Sequence, residues 1–218
     1  MVKEKEIKLH IGCGTVYLEG YINIHPAPDG LAVFYPEEVK RNKTTIANYY
    51  TKPIDNRPKF HVADVRASLD DLLEVLPESW IGNIDEICMF HVLEHIPKYE
   101  VDEKLKFINK LLSENGRFRV AVPDTDGFVL EFAEKLKSGI SEEEKEWYYR
   151  CIYGTQKDKW SHHYCGYNKY RLSKLLTDNG FSKIIELPNQ NFYPSIHLLA
   201  AKESNMDYYI NDWLEGKI

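Results

Sequence analysis

The chain has 218 residues, of which 28 are Lys or Arg and 34 Asp or Glu, giving a net charge of −6; 43% of residues are hydrophobic and 28% charged. This is one domain's worth of a soluble globular protein, expected to run over residues 1–218. The acidic balance leaves no basic field to neutralise a phosphate backbone, so no nucleic acid partner is expected. Every apolar run falls short of the ~20 residues of a bilayer span, so no membrane partner is expected either. Cys13, Cys88, Cys151 and Cys165 lack paired short spacing, and no apolar stretch follows the charged opening, Met1-Val2-Lys3-Glu4-Lys5-Glu6. Both point to a reducing, cytoplasmic compartment.

In chain order, Ile7-Lys8-Leu9-His10-Ile11 alternates as a strand and runs into the glycine turn Gly12-Cys13-Gly14. A second strand, Tyr21-Ile22-Asn23-Ile24, ends at His25-Pro26. Residues 29–58 lose periodicity and read as an inserted flap, with a short helix near residues 45–50. A third strand over residues 59–64 ends at Asp64, and a helix over residues 68–76 takes Ser68 as N-cap. Ile84 to Phe90 is a fourth strand, His91 to Pro97 a turn whose Glu94 caps the next helix, and Leu105, Ile108, Leu111 and Leu112 share a face of that helix, stopped by Asn115-Gly116. Residues 117–124 form a fifth strand and residues 128–137 a helix. A second insertion, near residues 138–170, is rich in aromatics. A helix over residues 170–178 and strands over residues 181–187 and 195–201 complete the chain. The expected fold is α/β: a Rossmann-like, doubly wound, mostly parallel seven-stranded sheet with an antiparallel last strand and helices on both faces.

In such sheets ligands bind beyond the carboxyl ends of the strands. The residues there are Gly12-Cys13-Gly14, His25, Asp64-Val65, His91 to His95 and Pro123-Asp124. Tyr17 stands where a dinucleotide fingerprint needs its third glycine, which favours a nucleoside without a pyrophosphate and leaves a dinucleotide-dependent reductase as a remote alternative. His91-Val92-Leu93-Glu94-His95 also spells H-x-x-E-H, an inverted zinc-peptidase motif, but Pro97 leaves hardly one turn for the helix that motif needs. No metal is therefore expected, and a zinc metallopeptidase is kept as a lesser alternative.

Taken together, Leu9-His10-Ile11-Gly12-Cys13-Gly14, Gly20-Tyr21-Ile22-Asn23-Ile24, Asp64, Phe90 to Ile96 and Asn115-Gly116 through Pro123-Asp124 resemble class I S-adenosylmethionine-dependent methyltransferases of the small bacterial methyltransferase-domain type. The resemblance implies S-adenosyl-L-methionine as cofactor, with Gly12, Cys13 and Gly14 at its methionine moiety, His25 at the ribose, Asp64 and Val65 at the adenine, and His91 lining the pocket. His25 departs from the family, which has an acidic residue there to hold both ribose hydroxyls; an imidazole has a single acceptor nitrogen. A catalytically weak or inactive nucleoside-binding protein is therefore a second reading.

The aromatic stretch from Trp147 to Tyr170 suits either packing or a substrate wall. His95, His162 and His163 are the candidate catalytic bases. No Asn/Asp-Pro-Pro-Tyr/Phe tetrapeptide follows the fourth strand, so O-methylation of a sugar or another small hydroxylated metabolite is the first expectation, and the aromatic surface leaves room for a homodimer.

Overall fold

The computed structural model describes residues 6–26, 36–50, 61–189, 191 and 193–202. Strand β1 (Lys8–Ile11) leads through a two-residue strand, β2 (Tyr17–Leu18), to β3 (Ile22–His25). Then come α1 (Pro36–Asn42), β4 (Lys43–Thr44), β5 (Val65–Arg66), α2 (Leu72–Val75), β6 (Ile84–Phe90), α3 (Val101–Leu111) and β7 (Leu112–Pro123). Helices α4 (Thr125–Ser138), α5 (Glu142–Tyr153) and α6 (Lys169–Asp178) precede β8 (Lys183–Leu187) and β9 (Ser195–Ala201). Seven strands form one sheet in the order β5-β3-β1-β6-β7-β9-β8, parallel except for β9, which runs antiparallel to both neighbours. This is the Rossmann-like mixed sheet that the strand and helix alternation called for.

Strand alternation explains how both faces of the sheet are used. Ile87 and Met89 of β6 pack with Phe118 and Val120 of β7, Leu105 and Ile108 of α3 and Leu172 and Leu176 of α6. Cys88 and Phe90 point the other way, against Leu18, Tyr21, Tyr49 and Tyr50. Side chains along a strand alternate faces, so a single seven-residue segment joins both cores.

Several boundaries differ from the sequence expectation. The third paired strand is Val65–Arg66, one step beyond Asp64, because Asp64 spends its amide on the Asn23 carbonyl (2.7 Å) as the chain enters the sheet edge. Ser68 does not cap α2 directly; its hydroxyl and amide bond the Asp71 carboxylate one turn earlier. Helix α3 ends at Leu111, and Leu112 is already extended (φ −69, ψ 142) and paired with Ile84. Asn115-Gly116 is therefore not a helix stop: it lies in the irregular stretch of β7 where the register shifts between Ile84↔Leu112 and Glu86↔Arg117.

The segment near residues 138–170 is not irregular either. It holds α5, whose start is fixed by a capping box in which Ser141 accepts from the Glu144 amide and Glu144 accepts from the Ser141 amide. Of residues 29–58, the described part holds α1, β4, which pairs with β2, and a 3₁₀ turn, Ile46–Asn48; the remainder lies outside the described residues. Among the described residues no helix is long and apolar enough to cross a membrane. All four cysteines are free thiols.

Candidate active site

The carboxyl ends of β1, β3, β6 and β7 open onto one side of the sheet, and the first structure met there is the loop after β1. The Gly12 and Cys13 amides both reach the Ile24 carbonyl, at 2.8 and 3.1 Å, and the Cys13 thiol donates to the Val62 carbonyl at 2.9 Å. Burial raises that thiol far above its ordinary range, so Cys13 is a structural brace for the loop. Gly12 has φ +73, and a Cβ there would lie 2.3 Å from Val92 Cγ2, so only glycine lets this loop close on the turn after β6. At Gly14, by contrast, a Cβ would meet nothing within 4 Å, which leaves open space against the backbone.

The Gly14 amide faces His25 Nδ1 at 3.3 Å, and the His25 ring stacks on His61 with centroids 4.1 Å apart and planes 13° from parallel. Burial, reinforced by neighbouring His61, pulls the His25 imidazole down to about 4. A neutral His25 accepting at Nδ1 keeps its other ring N–H as a donor. Tyr17 donates to Asp64 Oδ1 at 2.9 Å, while Asp64 Oδ2 accepts from the Asn23 amide at 2.7 Å and from Asn23 Nδ2 at 3.2 Å. Asp64 thus ties β2, β3 and β5 together and keeps little acceptor capacity for anything else. Val65 pairs with Ile24 at the sheet edge. The open backbone at Gly14 beside a stacked imidazole pair, next to a cleft of about 320 Å³ lined by His25, His61, Gly154, Trp160 and His163, fits an amino-acid-bearing nucleoside.

That cleft adjoins a second one, of about 230 Å³, lined by His91, Glu94, His95, Phe128, Trp147, Arg150, Cys151, His163 and Tyr193. His91 sits at the end of β6 in the left-handed region (φ +55), with its amide held by the Ala121 carbonyl at 2.8 Å. Its Nε2 meets Asn191 Nδ2 and the Tyr193 hydroxyl, each at 3.2 Å, and its Nδ1 lies 3.4 Å from Glu94 Oε1. Residues Leu93–His95 form a 3₁₀ turn, which drops the Glu94 side chain into the interior with 1% exposure. Neither Glu94 carboxylate oxygen has a hydrogen-bond partner. Burial pushes this carboxyl up, but His91, His95 and His163 more than offset it and hold Glu94 below the usual carboxylate range.

His163 reaches the same place from a distant part of the chain. Helix α5 ends at Gly154 (φ +78), where a Cβ would strike the Ser161 carbonyl at 2.0 Å; this close approach turns the chain back so that the His163 amide bonds the Tyr153 carbonyl at 3.0 Å. Its Nδ1 meets the Cys151 carbonyl at 3.0 Å, and His95 Nδ1 meets the His162 carbonyl at 2.9 Å. Carbonyls only accept, so both Nδ1 atoms carry a proton, and on a neutral ring the lone pair is then at Nε2. Burial outweighs the pull of Glu94 and keeps the His163 imidazole below its ordinary range, hence neutral at pH 7.

The fold therefore gathers His91, His95 and His163 around one cleft, with Gly12, Gly14 and His25 beside it. His162 contributes its backbone carbonyl, while its ring stacks on Tyr164 at 6.0 Å and is not among the residues lining either cleft. Glu94 caps no helix, contrary to its expected role: α3 begins a full turn later, after Glu100. Nor do His91 and His95 share the face of a helix as an inverted zinc-peptidase motif requires. Glu94, His61, Arg150 and Tyr193 were not singled out from the sequence as site residues; Glu94 was visible inside H-x-x-E-H, whereas Tyr193 lies in a Pro- and Asn-rich loop that carries no signal. The aromatic stretch divides: Trp147 and Trp160 line the clefts, Tyr148 and Tyr167 are buried, and Tyr149, Tyr153, Tyr164 and Tyr170 are exposed.

The family model described as a methyltransferase domain matches residues 9–186. No curated protein matches the sequence significantly. Among solved structures, one from Thermotoga maritima described as a methyltransferase, a "possible histamine N-methyltransferase", is 12% identical over 93% of this chain and 84% of its own, with a TM-score of 0.49. The CMeT domain of a citrinin polyketide synthase is 10% identical over 93% of this chain and 48% of its own, with a TM-score of 0.52. A Bordetella parapertussis protein described as a possible exported protein is 11% identical over 92% of this chain and 62% of its own, with a TM-score of 0.50. The last two share the fold while being much longer than the region this chain spans.

Proposed function

The chain belongs to the methyltransferase-domain family of class I S-adenosylmethionine-dependent methyltransferases, and on that premise we propose that it methylates a hydroxyl oxygen of a sugar or small hydroxylated metabolite. The observation that carries this reading is the pair of imidazoles, His95 and His163, which line one cleft with the Glu94 carboxylate and whose Nδ1 atoms face backbone carbonyls, leaving Nε2 as the acceptor on each neutral ring. A hydroxyl nucleophile must shed its proton during transfer, and a positioned acceptor for it contributes typically about 10²–10⁴-fold.

When bound, the cofactor supplies an electrophilic methyl carbon on a sulfonium sulfur. Gly12, Cys13 and Gly14 would hold its methionine moiety through backbone groups, His25 its ribose through the ring N–H, and Asp64 with Val65 would border its adenine. Phe128, Trp147 and Tyr193 give the acceptor an apolar wall on which a sugar ring can lie. Alignment of nucleophile and methyl carbon in such a cleft can supply roughly 7–11 kcal/mol of barrier reduction. His91 acts as a positioning residue, since Tyr193 and Asn191 fix one ring nitrogen and turn the other toward Glu94.

The reading is tested by incubating the protein with methyl-labelled S-adenosylmethionine and a panel of sugars, phenols and amines. Label is expected in an O-methyl product; label only in an amine or at carbon overturns the choice of oxygen. Failure to bind S-adenosylhomocysteine by calorimetry would favour the inactive nucleoside-binding alternative. Replacing His25 with Asp, which restores two ribose acceptors, is expected to tighten that binding about tenfold, the worth of one added hydrogen bond to a charged group.

A further inference from the structure

We infer that Glu94, His95 and His163 form a binding site for one divalent first-row transition cation, placed beside the acceptor. The carboxylate oxygen of Glu94 and one ring nitrogen from each histidine lie within 4.8 Å of one another. Two imidazoles and one carboxylate are the donor set that borderline divalent ions favour, and three protein ligands leave coordination positions for a substrate oxygen.

Two independent observations point to a ligand here rather than a chance grouping. The first is Glu94 itself. It is 1% exposed, it lines the cleft, and no hydrogen bond reaches either oxygen. A buried carboxylate without a hydrogen bond costs several kcal/mol, and its contact with His91 Nδ1, at 3.4 Å, is an ion pair only when that imidazole is protonated. A cation in the cleft supplies the missing charge.

The second is the way the imidazoles are held. His95 and His163 each give Nδ1–H to a backbone carbonyl, of His162 and Cys151 respectively. This outer support fixes the tautomer and ring direction of histidines that ligate metals, and it leaves Nε2 as the donor atom on both. Isolated bases need no such matched pair.

The role of the site rests on the methyl-transfer reading, whereas its existence does not. Methyl transfer to a hydroxyl forms an O–C bond, breaks the S–C bond with its electron pair going to sulfur, and releases the hydroxyl proton. A cation bound by Glu94, His95 and His163 would occupy the lone pairs that act as the base in the metal-free site, and would instead lower the pKa of a hydroxyl beside it, so that the proton passes to water at neutral pH without oxidation or reduction of any group.

The test begins with tag-free protein stripped by a chelator and titrated with Co2+, followed by its visible absorption bands, with Zn2+ in competition and Mg2+ as a hard-ion control. One equivalent is expected to bind, displaced by Zn2+ and not by Mg2+. Glu94→Gln and His163→Ala should each weaken Co2+ binding by at least about 100-fold, the upper end of what losing even an outer supporting group costs. His162→Ala, which keeps the carbonyl that holds His95, should bind Co2+ as the parent does. Circular dichroism and thermal melting establish that each variant is folded. No stoichiometric Co2+ binding by the parent, equal binding in folded Glu94→Gln and His163→Ala, or preference for Mg2+ would each overturn the assignment. S-adenosylhomocysteine binding is measured separately on the same samples, so loss of the metal site and loss of the methyltransferase reading give different results.

Discussion

Two buried glutamates, eight positions apart in sequence, are treated in opposite ways by this fold. Glu86 and Glu94 are each 1% exposed. Glu86, inside β6, receives Arg117 Nε at 2.6 Å on one oxygen and Arg119 Nε at 2.8 Å on the other. Burial pushes its carboxyl up, yet the two guanidiniums prevail and hold it at about 2. Glu94, just past the end of the same strand, has no hydrogen bond on either oxygen and only a 3.4 Å contact with His91. The first charge is neutralised by the strand next door and serves the sheet. The second is left facing a cleft among three imidazoles, which is what a site reserved for something outside the chain looks like.

Substitution separates the two most strongly. Removing Glu86 as Glu86→Ala takes the shared carboxylate from two buried guanidiniums and should cost about 3–5 kcal/mol of unfolding free energy, read as a fall in urea midpoint. Glu94→Gln should cost metal-free stability only about 1 kcal/mol, because what it loses is one 3.4 Å contact with His91 and the cost of burying the charge is relieved at the same time. Methyl transfer by Glu94→Gln should nevertheless fall by at least about 100-fold. A large stability loss in Glu94→Gln would make Glu94 a counter-ion of the Glu86 kind and dissolve the contrast.

Acid distinguishes them in a second way. Burial lowers His10, His25 and His197 from 6.5 to about 4. Below pH 6.5 the unfolded chain therefore binds protons that the folded chain refuses, and stability should fall as pH drops from 6.5 towards 4. The expected slope is about 1.4 kcal/mol per pH unit for each imidazole involved. Glu86 acts lower: its stabilisation is complete above its ordinary 4.5 and is lost as pH falls from there through about 2. Urea midpoints at a series of pH values should show the histidine phase first, and Glu86→Gln should abolish only the lower one. The smallest effect expected is for Tyr17→Phe, which removes one exposed bond to Asp64 and should cost about 0.5–1.5 kcal/mol, with a matching loss of order around β5 by hydrogen exchange.

Much of the sheet was legible because its pattern is local. Ile84 to Phe90 carries its own apolar run and its own turn, and Gly12-Cys13-Gly14 follows directly on an alternating strand. Leu112 misled because i, i+3, i+4 spacing continues the face of α3, while pairing with Ile84 was the stronger demand. Helix α5 was overlooked because its exposed glutamates hide a weak apolar stripe, although Ser141 and Glu144 spell its capping box. At the site, His91, His95 and His163 could be named from residue type and position. His162 could not be told from its neighbour, since the two differ in which way the chain turns after Gly154.

By itself the sequence determined the succession of strands in the main sheet and the end of the sheet at which chemistry would occur, because periodicity and glycine turns are properties of short segments, and its motifs carried the resemblance to the family. Only the tertiary structure decided which polar residues are paired and which are left bare. Glu86 and Glu94 read alike in a string of letters; what separates them is that one meets two arginines across a strand register and the other meets a cleft closed by residues 69 positions away. Charge compensation inside a protein is set by contacts between distant segments, and those exist only once the chain has folded.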